Sequence, residues 1–146
     1  HDNVMDDKDE DAAQLSFGPE FSGQVECLSD AEVMTILDKR IADGDSRNMN
    51  DQLKQTYEYV KRSLGRRDVD STRKESIHLR ESLSELRFEN DALHTFEIAS
   101  LANLMSKDSE PEEARALIPS LRRFPDEALA EILALIVECK VQTNAT

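Results

Sequence analysis

Tryptophan is absent from this chain, and aromatic residues of all kinds make up only 5% of it. Glycine and proline occur four times each, too sparsely for the many turns of an all-β domain. The four glycines (Gly18, Gly23, Gly44, Gly65) are scattered, so no glycine-rich phosphate loop can form. Only two cysteines are present, Cys27 and Cys139, far apart and without a C-x-x-C neighbour. That pattern is neither a zinc site nor a disulfide framework. No apolar run approaches the ~20 residues of a membrane span, and no membrane contact is expected. With few aromatics, a core must be built from Leu, Ile, Val and Ala, which favours helices packed on helices. At 146 residues the chain suits one domain with a tail.

Charge is what the chain has in excess. Charged residues are 34% of it and the net charge is −13, a surface that repels phosphate backbones. The distribution is uneven. Residues 1–32 carry ten acids and one Lys, whereas residues 61–74 carry six basic residues against Asp68 and Asp70. The basic run (Lys61, Arg62, Arg66, Arg67, Arg73, Lys74) has no interleaved aromatic for base stacking. It reads as a solvated helix end or as a weak contact with RNA phosphates through Lys61, Arg62, Arg66 and Arg67.

Catalytic and metal patterns are missing. Asp68 and Asp70 begin a calcium-loop spacing, but Arg73 stands at the glycine position and Leu79 at the closing glutamate. His1, His78 and His94 are isolated; His78 reads as solvated and His94 as a capping or packing residue. The carboxylates form solvated runs rather than a pair with split pKa values. No catalytic residue, cofactor or metal is assigned.

Residues 1–27 read as an acidic arm, partly disordered, and residues 28–146 as a helical bundle. Within the arm, Leu15 and Phe17 alternate with Gln14 and Ser16, a short strand ended by Gly18-Pro19. A lone strand must either pair with a sheet in another protein or lie as an extended arm on its own helices. Ser29 and Glu32 form a capping box, with Leu28 and Val33 at the staple positions. The helix they open carries an apolar stripe at Val33, Ile36, Leu37 and Ile41, and Gly44 stops it. A second helix spans Asp51 to Leu64 on the seam Leu53, Tyr57, Val60 and Leu64, closed by Gly65. A third runs from Asp70 to Phe88. Leu79, Leu83, Leu86, Asn90 and Leu93 follow a heptad-like spacing that serves either a core-facing helix or a self-associating coiled coil.

The next segment is apolar on nearly every side, as for a central helix. Pro111 then opens a short helix at its first position, with Glu112 and Glu113 on the positive dipole end. Pro119 stops that helix, pushes Ile118 toward an extended conformation and lets Leu121 turn inward. Pro125-Asp126-Glu127 repeats the opening for a last helix with Leu129, Ile132, Leu133, Ile136 and Val137.

Three segments in order, EDAAQLSFGPEF (Glu10–Phe21), LHTFEIASLANL (Leu93–Leu104) and EEARALIPSL (Glu112–Leu121), resemble the family of the fourth subunit of eukaryotic RNA polymerase II. The resemblance covers most of the chain from Glu10 to about Glu138. It implies an all-α, HRDC-like helical bundle whose N-terminal arm supplies β-structure to the OB-fold seventh subunit of the polymerase. The pair would form a stalk beside the RNA exit path in the nucleus. It would have no catalytic residues, and would support initiation, dock factors and meet emerging RNA mainly through the partner. On this chain Leu15, Phe17, Pro19 and Phe21 match the arm, and Val33 and Leu37 the helix behind it. Leu93, Phe96, Leu101, Leu117, Ile118, Pro119 and Leu121 match the core motifs. The second helix ends at Leu64 without the family's aromatic pair, and the segment Asp68–Asp91 is longer and more charged than expected. The equivalent subunit of RNA polymerase III and a self-associating helical adaptor are the alternative readings.

Overall fold

The computed structural model describes residues 10–21, 25–44 and 50–144. The acidic stretch before Glu10 lies outside them. Six α-helices are found among the described residues: α1 (Asp30–Ala42), α2 (Asp51–Leu64), α3 (Val69–Ser84), α4 (Thr95–Leu104), α5 (Pro111–Leu117) and α6 (Asp126–Asn144). The all-α bundle expected from composition is therefore what forms.

Local chemistry sets most of the boundaries. The Ser29 hydroxyl accepts from the Glu32 amide, and the Glu32 carboxylate accepts from the Ser29 amide at 3.0 Å, a closed capping box. Asn50 and Asp68 cap α2 and α3 with their side chains alone, accepting from the Leu53 and Ser71 amides. Gly65 ends α2 at φ 63°, a conformation that side chains resist. Pro111 sits in the first turn of α5, Ile118 lies at φ −128° and ψ 83°, and the chain continues as a 3-10 helix over Pro119–Arg123.

Helices α1 and α2 form an antiparallel pair. Ser63 Oγ donates to Asp30, and Tyr57 OH donates to Asp38 at 3.1 Å, joining opposite ends of the two helices. Ala31, Met34, Val60 and Leu64 make a small cluster between them. Most of the core is elsewhere. Leu79, Leu83, Leu101, Ile118, Leu121, Leu129, Ile132 and Ile136 are all at most 1% exposed and belong to one larger cluster. Helix α3 is the spine, packed on α1 and on α6. An Arg80–Glu32 ion pair ties it to α1.

Several expectations are corrected. No strand forms among the described residues at Leu15–Phe17. Leu15 takes a left-handed φ of 57° after the 3-10 turn Ala12–Gln14. A single antiparallel bridge, Asp11 to Ser16, then closes the loop on itself. The α1 stripe is Ala31, Met34 and Leu37, and Ile36 is 49% exposed. Leu28 is also exposed. Helix α3 ends at Ser84 rather than Phe88, and the Arg87 guanidinium donates to the Ser84 carbonyl at its end and to the Leu86 carbonyl beyond it. Asn90 lies in the following turn, and Leu79, Leu83 and Leu93 are buried in the chain's own core. The heptad-like spacing is therefore a core seam and not a self-association face. Helix α4 is not covered all round, since Leu104 is half exposed. Leu117, expected inside, is 51% exposed. Ile118 and Leu121, on either side of the proline-led turn, are the buried residues of this corner.

Candidate partner-docking surface

The three sequence segments that carry the family resemblance meet at one corner of the molecule. Its centre is the N-terminus of α4. There His94 acts as N-cap: its Nδ1 accepts from the Phe96 amide at 3.0 Å, and the Glu97 carboxylate accepts from the His94 amide at 2.8 Å. The Phe17 ring of the arm lies on this cap, 5.6 Å from the His94 ring and 5.1 Å from that of Phe96. Phe21 follows at 5.9 Å and is 48% exposed. Together with Val25, Cys27 and Thr95 these rings line an apolar groove of about 230 Å³. The Cys27 amide donates to Thr95 Oγ1 at 2.9 Å, which holds the chain against α4 before α1 begins.

The arm has a second seat. Ala13, Gln14 and Leu15 lie across a cavity of about 250 Å³ from Pro119, Ser120, Arg122 and Arg123. The two seats are joined by a polar cluster in which Glu97 and Ser120 are buried and Arg123 reaches the surface. Glu97 is fully buried. Its Oε2 accepts from Ser120 Oγ at 2.6 Å and from an Arg123 nitrogen at 2.5 Å, and its Oε1 accepts from the other Arg123 terminal nitrogen at 2.8 Å. Arg123 also donates through Nε to Asp91 at 2.7 Å and lies 4.3 Å over the Phe124 ring. These contacts push the guanidinium pKa up, the Glu97 hydrogen bonds first. The same guanidinium holds the Asp91 carboxyl below the usual range.

The expected arm residues divide. Leu15 and Phe17 are half-buried against the molecule, while Pro19 and Phe21 are exposed. Val33 packs on the small cluster between α1 and α2, and Leu37 is buried. Of the expected core motif, Leu93, Leu101, Ile118 and Leu121 are in the main cluster, and Phe96 and Pro119 are half-buried at the arm seats. His94 is the capping and packing residue its position suggested.

Glu97, Ser120 and Arg123 were not legible as a site. Glu97 sits three residues after His94, the reach-back position of a capping box, but histidine is not among the usual caps. Nothing in the sequence links it to Arg123.

Part of the basic stretch is committed to its own helices, although five of its six cations are exposed. Arg67 donates to the Leu64 and Ser63 carbonyls at 3.0 Å each, closing the end of α2. Arg73 pairs with Asp70, and the Asp68 carboxyl is held down first by its Ser71 hydrogen bonds and last by nearby Lys74. Lys61, Arg62 and Arg66 are exposed. Among the described residues no group of three or more His, Cys, Asp or Glu could hold a metal ion, and no helix is long and apolar enough to cross a membrane.

The family described as RNA polymerase Rpb4 matches residues 27–140, which takes in the α4 cap and the α5 corner. A relative from Schizosaccharomyces pombe, DNA-directed RNA polymerase II subunit rpb4, is 34% identical over 130 residues, covering 86% of this chain and 87% of that protein. The segment Glu10–Phe21 precedes the family match, but the helical body that seats it lies within it. On both grounds, the chain belongs to the RNA polymerase Rpb4 family.

Proposed function

We propose that this chain is a non-catalytic subunit of RNA polymerase II that acts in the nucleus as half of a stalk heterodimer. Its partner is the OB-fold seventh subunit of the polymerase, and the pair supports initiation, factor docking and handling of emerging RNA. Family membership and the name of the fission-yeast relative support the polymerase II assignment over its polymerase III counterpart. The observation that carries the pairing is the arm. Its inner ring, Phe17, is anchored on α4, while Phe21 keeps half its surface in water beside an unfilled apolar groove. Exposed aromatics at the mouth of such a groove are what a partner buries. The rival reading, a self-associating adaptor, loses its interface because Leu79, Leu83 and Leu93 are core residues.

The test is co-expression of the full chain with the OB-fold subunit. A stable one-to-one complex, with new amide protection in residues 10–27, is the expected result. A chain that stays monomeric on mixing, with its arm unchanged, overturns the pairing.

A further inference from the structure

We infer that the ion pair between buried Glu97 and surface-reaching Arg123 is the positioning device of the arm: it locks the two seats into one receptacle and so sets the fraction of time the arm is presented. The inference rests on the pairing proposed above only for its effect on the partner, not for its effect on the arm.

The hydrogen-bond accounting around Arg123 is complete. A guanidinium has five N–H donors in a rigid fork. Nε donates to Asp91 at 2.7 Å. One terminal nitrogen donates to Glu97 Oε2 at 2.5 Å and to the Ser120 carbonyl at 2.8 Å. The other donates to Glu97 Oε1 at 2.8 Å and to the Ala92 carbonyl at 3.1 Å. Glu97 is equally full, because Oε1 also takes the His94 amide and Oε2 the Ser120 hydroxyl. A single bidentate pair therefore connects the turn before α4, the first turn of α4 and the 3-10 helix Pro119–Arg123.

Those are the elements on which the arm rests. Phe17 sits on His94, whose amide is held by Glu97. Ala13, Gln14 and Leu15 face Ser120 and Arg123. Among the described residues no hydrogen bond joins Phe17 or Leu15 to either seat; the Leu15 amide closes its own turn on Ala12, so the placement of both side chains depends on how the two seats are held relative to each other. The pair is also poorly suited to a purely stabilising role. Ion pairs with a buried member, replaced by apolar residues of similar size, often leave stability unchanged or higher, and with Glu97 fully buried and Arg123 28% exposed the role left to this pair is fixed geometry. A fully satisfied polar cluster is a rigid one.

Two variants of the full chain test this. Arg123→Lys keeps the charge and loses the fork. The double change Glu97→Met with Arg123→Met removes both charges while keeping volume, which guards against an unpaired buried charge that unfolds the domain. The readout is amide exchange of Leu15, Ser16 and Phe21, whose N–H groups close the arm's turns on Ala12, Asp11 and Gly18. The buried α6 segment is the internal control. Both variants are expected to speed arm exchange by about tenfold or more with α6 protection kept. Apparent affinity for the OB-fold subunit should fall by the same factor, since only the seated fraction is competent. Unchanged arm exchange in both variants overturns the inference. So does an equal loss of protection in arm and α6, which would make the pair a general stabiliser. A wild-type chain that never binds the OB-fold subunit overturns the pairing instead, and leaves the exchange result standing.

Discussion

Phe21 and Phe17 stand four residues apart on the arm and should answer differently to the same substitution. Phe21 is 48% exposed, so Phe21→Asp should leave the free domain's stability within about 0.5 kcal/mol. In the proposed heterodimer it places an unpaired charge in a desolvated joint, at about 2 kcal/mol or more, roughly a 30-fold loss of affinity. Phe17→Asp also weakens the dimer, but it first releases the arm from His94 and Phe96. Thermal melts and titrations of both variants separate the two effects, and a Phe21→Asp chain that binds as tightly as wild type removes Phe21 from the interface. Asp91 gives a second residue-level expectation. Its carboxyl is held down by the Arg123 hydrogen bond. A depressed folded pKa contributes stability above the unfolded value, about 3.9, and loses it as pH falls through the folded value. The contribution is modest, because the side chain is 48% exposed and solvent screens it. Asp91→Asn should therefore lower neutral-pH stability slightly and flatten the acid limb below about pH 4 in melts followed by circular dichroism. The residues of this cluster were the least legible in the sequence. Glu97 and Arg123 are 26 positions apart, and neither periodicity nor a cap ties them. The capping-box spacing from His94 to Glu97 is the clue available in sequence, and it names no partner for the second carboxylate oxygen.

Element boundaries were legible where chemistry between near neighbours decides them. The Ser29–Glu32 box, the Gly65 stop and the two prolines around α5 all act within a few residues, and each sits where its residue type demands. Ser29 is 2% exposed, so losing its side-chain bond has no solvent substitute. Ser29→Ala should cost about 1 kcal/mol in denaturant unfolding. Gly65 lies at φ 63° and ψ −129°, and an added Cβ there would meet nothing. Gly65→Ala should still destabilise by about 1–3 kcal/mol, because the strain is in the backbone alone. A neutral Gly65→Ala would mean that α2 can end another way. Elements decided by distant contacts were less legible. The alternation of Leu15 and Phe17 reads as a strand, but with no neighbouring strand among the described residues the arm's backbone groups close on themselves between Asp11 and Ser16. The same limit applies to α3. Its leucine spacing fits a coiled coil and a core helix equally, and only the packing on α1 and α6 chooses.

At the scale of the whole molecule, charge decides what the domain can meet without help. The net charge of −13 opposes any polyanion, and the one basic stretch is not an open patch. Arg67 is spent on the carbonyls that end α2, Arg73 on Asp70, and Lys74 lies beside Asp68. That leaves Lys61, Arg62 and Arg66, exposed as Arg67 and Lys74 also are, around the α2 terminus, where cations also complement the helix dipole. Three cations on an acidic body supply too little counterion release for tight binding on their own. The isolated chain should therefore show no measurable binding to single-stranded RNA at physiological salt. In the heterodimer, contact should run mainly through the OB-fold subunit, whose fold class carries stacking surfaces that this aromatic-poor helical body lacks. Lys61→Glu, Arg62→Glu and Arg66→Glu combined should then change the pair's RNA affinity by less than about threefold and leave its salt dependence intact. Each single-strand phosphate contact contributes about 0.7 to the slope of log affinity against log salt. If the corner does face RNA, the triple change instead lowers that slope by about 2. Titrations across a salt series read the two outcomes apart, and only the second would make this corner part of the RNA path rather than the solvated end of a helix.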